Sequence, residues 1–410
     1  MGLTRRDFAK GVLAAFVIPN FSSASTNGHE LNFVGLGFSS LAGDSDIEKA
    51  FPHVSRYLLE QDFFSEVESF VYQALKDNYS AGVIRVGENG AISSSEVVGS
   101  LLAIVSVDFE LNIKVPGGVD KTDGRGDLNI MHIFPSLRIV SIRDLPDSDR
   151  RGGRIDLVTS IPFRAGKLHF LNKSSYENNV EEILKEEAIP FLVEKVSSSS
   201  FVESFERLSL KVDKISISEK ARTKLLASKG DFFLEDGYWG RNLSSAAVSK
   251  ASLKVIPYGS DDDIYQTTLT SVFNDSSNLL HLLNNIGGYS DYLMDIDVFA
   301  IKKKAVESSR VFEFFSRGVA VKLKLKKGDG TLVSELRIFK SSKNKLPKDF
   351  YSIEYQYDQR YLNEITISLF ETFFSGIIQK DWNILKSIGL KEQKHADAVN
   401  LFSKHLSKCI

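Results

Sequence analysis

The sequence predicts an α+β fold made of two α/β modules, each combining an antiparallel β-meander with a long helix. Val105, Val107, Phe109, Leu111 and Ile113 alternate with Ser106, Asp108, Glu110, Asn112 and Lys114, the period-2 pattern of an antiparallel strand with one wet face. Val319, Val321, Leu323 and Leu325 alternate with Lys322, Lys324 and Lys326, and the turn Lys327-Gly328-Asp329-Gly330 leads into a further strand, a hairpin pattern. Elsewhere the period is helical, as with Val67, Phe70, Val71 and Leu75 on one face of residues 66–78.

In chain order, Leu31 to Phe38 reads as a strand, Glu66 to Asn78 as an amphipathic helix, and Val105 to Lys114 as the first long strand. Pro116-Gly117-Gly118 breaks it, and strand-rich segments follow at Leu128 to Ile142 and Arg154 to Phe170. Tyr176 to Val196 is a helix that Pro190 should kink or end. The four serines 197–200 mark a boundary. Arg207 to Ser218 alternates as a strand, and an aromatic stretch from Asp231 to Asn242 follows a short helix. The pattern then restarts: a strand from Ser252, a helix over 264–283, a strand at Asp297 to Lys302, the hairpin, a helix from Tyr361 to Trp382, and a final amphipathic helix. Tyr176, Asn178, Val180, Leu184, Glu186 and Lys195 fall opposite Tyr361, Asn363, Ile365, Leu369, Glu371 and Lys380 without a gap. A tandem duplication would produce that alignment. The expected organisation is a signal peptide over 1–24, an α+β domain over 25–200, a connecting segment over 201–250 and a second α+β domain over 251–410.

Composition sets bounds. With 410 residues, 42% hydrophobic and 25% charged, the chain is an ordinary globular one of about two domains. A net charge of −2 gives no global field for nucleic acid or anionic lipid. The one cysteine, Cys409, excludes an internal disulfide, an iron–sulfur cluster and a cysteine-rich zinc site. No cofactor is expected.

The N-terminus carries the most specific motif. Thr4-Arg5-Arg6-Asp7-Phe8-Ala9-Lys10 precedes the apolar run Gly11 to Ile18, then Pro19 and the small residues around Ala24, the layout of a secretory signal. The motif resembles the bacterial twin-arginine signal, with Ala9 where Leu is commonest. The resemblance implies that Arg5, Arg6, Phe8 and Lys10 are read by the twin-arginine translocase, that cleavage follows Ala24, and that the chain folds before export. It implies a periplasmic or secreted location with no stable membrane insertion after processing. The strand, loop and helix after residue 30 are faintly similar to the start of the TolB amino-terminal and curli-secretion type of envelope domain.

Motifs for chemistry are weaker. Gly35-x-Gly37-x-x-Ser40 is an incomplete dinucleotide fingerprint, and a strand end is the simpler reading. His132 and His169 lie in adjacent candidate strands and would meet if these paired on one face. Glu392 and His395 have the spacing of a di-iron ligand pair, but one such motif does not make a site. Asp120, Asp123 and Asp127 form an acidic loop without EF-hand spacing, and Asp261-Asp262-Asp263 reads as a solvated helix cap. No Gly-x-Ser-x-Gly elbow is present. Phe232, Phe233, Tyr238 and Trp239 are the candidate ligand surface, for stacking on a sugar or clasping a peptide. No catalytic, cofactor-binding or metal-ligating residue is assigned. The expected function is an exported periplasmic binding or assembly protein, non-enzymatic, with an envelope protein or carbohydrate as partner and no nucleic acid. The alternative is a cofactor-independent hydrolase acting on an envelope polymer.

Overall fold

The computed structural model describes residues 30–38, 51–60, 63–86, 99–114, 128–144, 154–170, 176–197, 207–256, 258, 290–348 and 354–410. The signal residues Arg5, Arg6, Phe8 and Lys10, the loop 120–127, Ser198–Ser200, Asp261–Asp263 and the expected helix 264–283 lie outside these residues.

The fold is α+β, with two sheets of one topology. In the first, β1 (Leu31–Phe38), β2 (Val83–Arg85), β3 (Leu101–Lys114), β4 (Leu128–Asp144) and β5 (Arg154–Pro162) stand in the order β2-β1-β3-β4-β5, and β6 (Ala165–Phe170) pairs with β4. In the second, β7 (Leu210–Ile217), β8 (Val255–Ile256), β9 (Tyr292–Ser308), β10 (Phe312–Lys327) and β11 (Leu332–Pro347) stand in the order β8-β7-β9-β10-β11. Each sheet opens with a strand parallel to both neighbours and continues as an antiparallel meander. The registers correspond too: Leu31 pairs with Val83 and Leu101, as Leu210 pairs with Val255 and Tyr292. In the helices aligned from sequence, Val180 and Leu184 are buried, as are Ile365 and Leu369. The structure thus repeats one topology, as a tandem duplication requires. Residues 207–251, within the stretch expected to connect the halves, supply β7, α4 (Glu219–Ala227) and α5 (Asp236–Ala251).

The first sheet is covered on both faces. On one side lie α1 (Phe64–Asn78) and α3 (Ile189–Ser197), packed on each other. On the other lie α5 and α6 (Glu354–Gln379), which also pack on the second sheet: α6 on β10 and β11, α5 on β7 and β8. Two helices shared between two sheets unite the halves in one hydrophobic core. The wet face expected on β3 is therefore a correction. Ser106, Asp108 and Glu110 are buried, because the polar positions of the strand meet polar positions of the helices rather than water.

The β3 alternation also breaks. Val107 pairs with Pro135 and Phe109 with Phe134, so Asp108 is an extra residue, a β-bulge. Beyond it Glu110 pairs with Ile133, which puts it on the face opposite Ser106. There its Oε2 accepts hydrogen bonds from the backbone N–H groups of His53 and Val54 at 3.0 and 2.9 Å.

Pro190, expected to kink or end the helix, does not end it. The helix α2 (Tyr176–Glu182) widens into a π-helical stretch, Ile183–Ala188, before α3 continues. Pro190 has no N–H for the carbonyl of Glu186, and a wider turn absorbs the mismatch. The segment expected as one strand over 154–170 is two, β5 and β6, and the strand expected from Ser252 is only the two-residue β8.

Candidate functional site

The densest group of buried polar side chains lies between the first sheet and the α5–α6 layer. Register places Ser106 opposite Ser136 and Ile104 opposite Arg138, so these positions share the helix-facing side of the sheet. The Ser106 and Ser136 hydroxyls stand 3.0 Å apart, and Ser106 Oγ donates to Asp108 Oδ1 at 2.5 Å. From α5 the Arg241 guanidinium lies 4.8 Å over the Phe109 ring. Burial lowers the Arg241 pKa, and the Asp108 and Glu235 carboxylates oppose that shift. Asp108, Phe134, Phe163, Arg241, Ser244 and Tyr258 border a cavity of about 10 Å³, room for about one water molecule.

A hydrogen-bonded chain crosses from helix to sheet beside this cavity. Tyr238 Oη donates to Asn363 Oδ1 at 2.9 Å, and Asn363 Nδ2 donates to His132 Nε2 at 3.1 Å. An amide nitrogen only donates, so His132 Nε2 must accept, and the imidazole is the neutral Nδ1–H tautomer. Burial, with a smaller contribution from the Arg164 charge, pushes His132 down to about 3. Gly166 stands opposite His132 in register. A Cβ there would lie 2.1 Å from His132 Nδ1, so only glycine admits the ring. Arg164 reaches from the β5–β6 connection to Glu371 on α6 at 3.3 Å.

The seam is thus a latch between the halves. Tyr238→Phe is expected to cost about 1–3 kcal/mol, because Asn363 Oδ1 loses its donor while staying buried. Urea melts of Tyr238→Phe, Asn363→Leu and the double variant check this. The two losses should be clearly non-additive.

The structure relocates several residues singled out from sequence. Phe233, Tyr238 and Trp239 are fully buried and Phe232 packs partly buried against them. Phe233 and Tyr238 meet edge to face at 5.0 Å, as do Tyr238 and Trp239 at 5.3 Å, while Trp239 Nε1 donates to the Phe233 carbonyl at 2.8 Å. The stretch forms a short 3₁₀ turn and the start of α5, so it is an interior anchor rather than an exposed ligand surface. The physical reason is that α5 is covered by both sheets and has no wet side. β4 and β6 do pair, but His169 stands opposite Asn129 and His132 opposite Gly166; the odd offset puts the two histidine positions on opposite faces. His395 Nδ1 accepts from the Lys391 N–H at 2.9 Å, capping the start of α7 (Glu392–Leu406). Gly35 and Gly37 lie within β1, paired with β3, and form no phosphate-binding turn. The Cys409 thiol is buried and pushed up to about 12 by that burial. Among the described residues no group of three or more His, Cys, Asp or Glu stands where it could hold a metal ion, and no helix is long and apolar enough to cross a membrane.

The second sheet has two contrasting faces. Its inner face is apolar, with Met294, Ile296, Val321 and Leu323 buried. Its outer face carries Asp–Lys pairs: Lys322 with Asp297 at 3.5 Å, and Lys326 with Asp295 at 2.5 Å and Asp213 at 3.6 Å. Farther along, residues 302–308 of β9 are all exposed. They end in a turn closed by hydrogen bonds between Ser309 and Phe312. Sequence reasoning missed this arm, although the run Lys302-Lys303-Lys304 was a visible signal.

No family model matches the chain, and no curated protein matches it. Solved structures that align with part of it include a minor lipoprotein from Acinetobacter baumannii, 7% identical over 42% of this chain and 90% of that one, with a TM-score of 0.24. A hypothetical protein from Chlamydia trachomatis aligns at 10% identity over 42% of this chain and 96% of that one, with a TM-score of 0.22. A lipoprotein from Neisseria meningitidis aligns at 17% identity over 38% of this chain and 97% of that one, with a TM-score of 0.18. TM-scores this low identify neither a family nor an activity.

Proposed function

We propose that the chain is an exported envelope protein that binds or assembles without catalysis, working through the outer face and tip of its second sheet. One observation carries the reading: β9, β10 and β11 run for 17, 16 and 16 residues, roughly 50 Å at about 3.3 Å per residue, and the last stretch of β9 is exposed throughout. Strands of that length exceed what the core needs. The alternative, a hydrolase for an envelope polymer, finds little room in the seam, where the space beside Asp108 is about 10 Å³. The twin-arginine route follows from the resemblance of residues 4–10 and is part of the proposal.

Cell fractionation tests both parts. The unaltered chain is expected in the envelope fraction. Shortening the arm by removing residues 305–313 should release it in soluble, folded form, with near-UV circular dichroism confirming the fold. Undiminished retention would overturn the assignment of the working surface. Arg5→Lys with Arg6→Lys should hold the chain in the cytoplasm, and unimpaired export would remove the twin-arginine route.

A further inference from the structure

The outer face of the second sheet changes character along its length. Near its middle the lysines are neutralised, since Lys322 and Lys326 face Asp297, Asp295 and Asp213. Toward the free end the basic residues outnumber the carboxylates, of which Glu307, opposite Phe314, shares their face. Ser316 pairs with Lys304 on one side and Lys343 on the other, and Gly318 pairs with Lys302 and Ser341. This brings Lys302, Lys304 and Lys343 onto one face of three strands. Lys345 lies 5.1 Å from the Phe312 ring, and Arg310 is exposed at the turn. None of Lys302, Lys304, Arg310 and Lys343 makes an ion pair among the described residues; Lys303, on the other face, is held by Glu354 and Asp358. The nearby acids are Glu307 and Glu313.

The end of the arm is apolar as well as basic. Val306 is 47% exposed and Val311 55% exposed, on either side of the turn that carries Arg310. The backbone N–H of Lys348 donates to the Val311 carbonyl at 2.9 Å, so the third strand braces the tip. The chain as a whole has a net charge of −2, so this concentration of positive charge is local.

We propose that this arm docks on an anionic phospholipid surface. The two valines would enter the interfacial layer, and Lys302, Lys304 and Lys343 would lie against the headgroup phosphates. The inference rests on the binding function proposed above and names its partner. A bilayer interface offers an apolar layer beneath a plane of phosphates, matching the apolar tip and its basic face, and the long lysine stems let the ammonium groups reach that plane. A nucleic acid would use the lysines but leave the valines unmatched.

The test is sedimentation of the mature chain with phosphatidylcholine vesicles, with and without phosphatidylglycerol. Binding is expected only with phosphatidylglycerol. A juxtamembrane lysine is worth about fivefold in binding, so Lys302→Gln, Lys304→Gln and Lys343→Gln together should weaken binding by about a hundredfold. Val306→Ser with Val311→Ser should weaken it further, and circular dichroism should show both variants folded. Absence of binding to phosphatidylglycerol vesicles overturns the proposal, as does equal binding to both vesicle types. So does equal affinity for a DNA duplex with no effect of the valine changes, which would make the arm a general polyanion site. Loss of envelope retention on arm shortening, without vesicle binding, would leave the binding function standing and point to an envelope component other than lipid.

Discussion

Replacing Asp358 by alanine is expected to destabilise the protein by about 3–5 kcal/mol, the range for stranding one half of a buried ion pair. Arg317 lies inside the base of the arm, 1% exposed, and its Nε donates to Asp358 Oδ1 at 2.7 Å. The guanidinium also lies over two rings, 5.1 Å from Phe315 and 5.4 Å from Tyr361. Lys303 completes the group, donating to Asp358 Oδ2 at 2.7 Å and pairing with Glu354 at 2.6 Å. Asp358 therefore offsets two cations from the first turns of α6, and without it Arg317 keeps its charge in an apolar setting. Urea unfolding of Asp358→Ala checks the size. Arg317→Met with Asp358→Leu should recover most of the loss, because an apolar pair needs no partner charge. Glu354→Ala, at a half-exposed position, should cost no more than about 1 kcal/mol. A small loss for Asp358→Ala would mean that the arm's base does not depend on this pair.

Much of the architecture was legible because local pattern and tertiary environment agree. The β10–β11 hairpin is one example: Val319 to Leu325 face the core, the intervening lysines face outward, and the turn falls at 327–330. The helix pair that suggested duplication is another, since Val180 and Leu184 are buried, as are their counterparts Ile365 and Leu369. Legibility failed where a polar pattern met a polar partner. Ser106 and Asp108 look like a wet face in sequence, and nothing local announces that Arg241 and Ser244 would cover them. The aromatic stretch failed for a related reason: Phe233, Tyr238 and Trp239 among acids resemble a stacking surface until two sheets close on α5. The seam joins residues more than two hundred positions apart, as Asn363 and His132 show, and no spacing rule reaches that far. The arm's charge was half legible. Lys302 and Lys304 flank Lys303 in sequence, but only the register brings Lys343 beside them.

The two buried titrating groups of the first sheet should oppose each other in pH dependence, and removing one should expose the other. Burial pushes Glu110 up from 4.5 to about 7, more than the bonds from Val54, His53 and Asn112 pull it down. Between those values the unfolded chain has released this proton and the folded chain has kept it. Stability therefore falls as pH rises through the window, by roughly 3 kcal/mol at about 1.36 kcal/mol per pH unit. His132 runs the other way: its folded value is about 3 against 6.5 unfolded, so its contribution is intact above pH 6.5 and is lost as pH falls toward 3. From about pH 4.5 to 6.5 the two slopes cancel. Glu110→Gln tests this with little disturbance. The new amide oxygen accepts from His53 and Val54, and its nitrogen replaces Oε1, which accepts from Asn112 Nδ2 at 2.9 Å; a turn of the Asn112 amide presents its otherwise unpartnered Oδ1 to that nitrogen. The difference in stability between Glu110→Gln and the parent, from urea melts between pH 4 and 8, should rise from near zero at pH 4.5 to roughly 3 kcal/mol above pH 7. Below pH 6.5 the variant alone should show the steady acid loss that His132 imposes. A difference curve flat across that range would mean that Glu110 is ionised in the folded protein well below pH 7, with the backbone N–H groups of His53 and Val54 stabilising its charge more than burial opposes it.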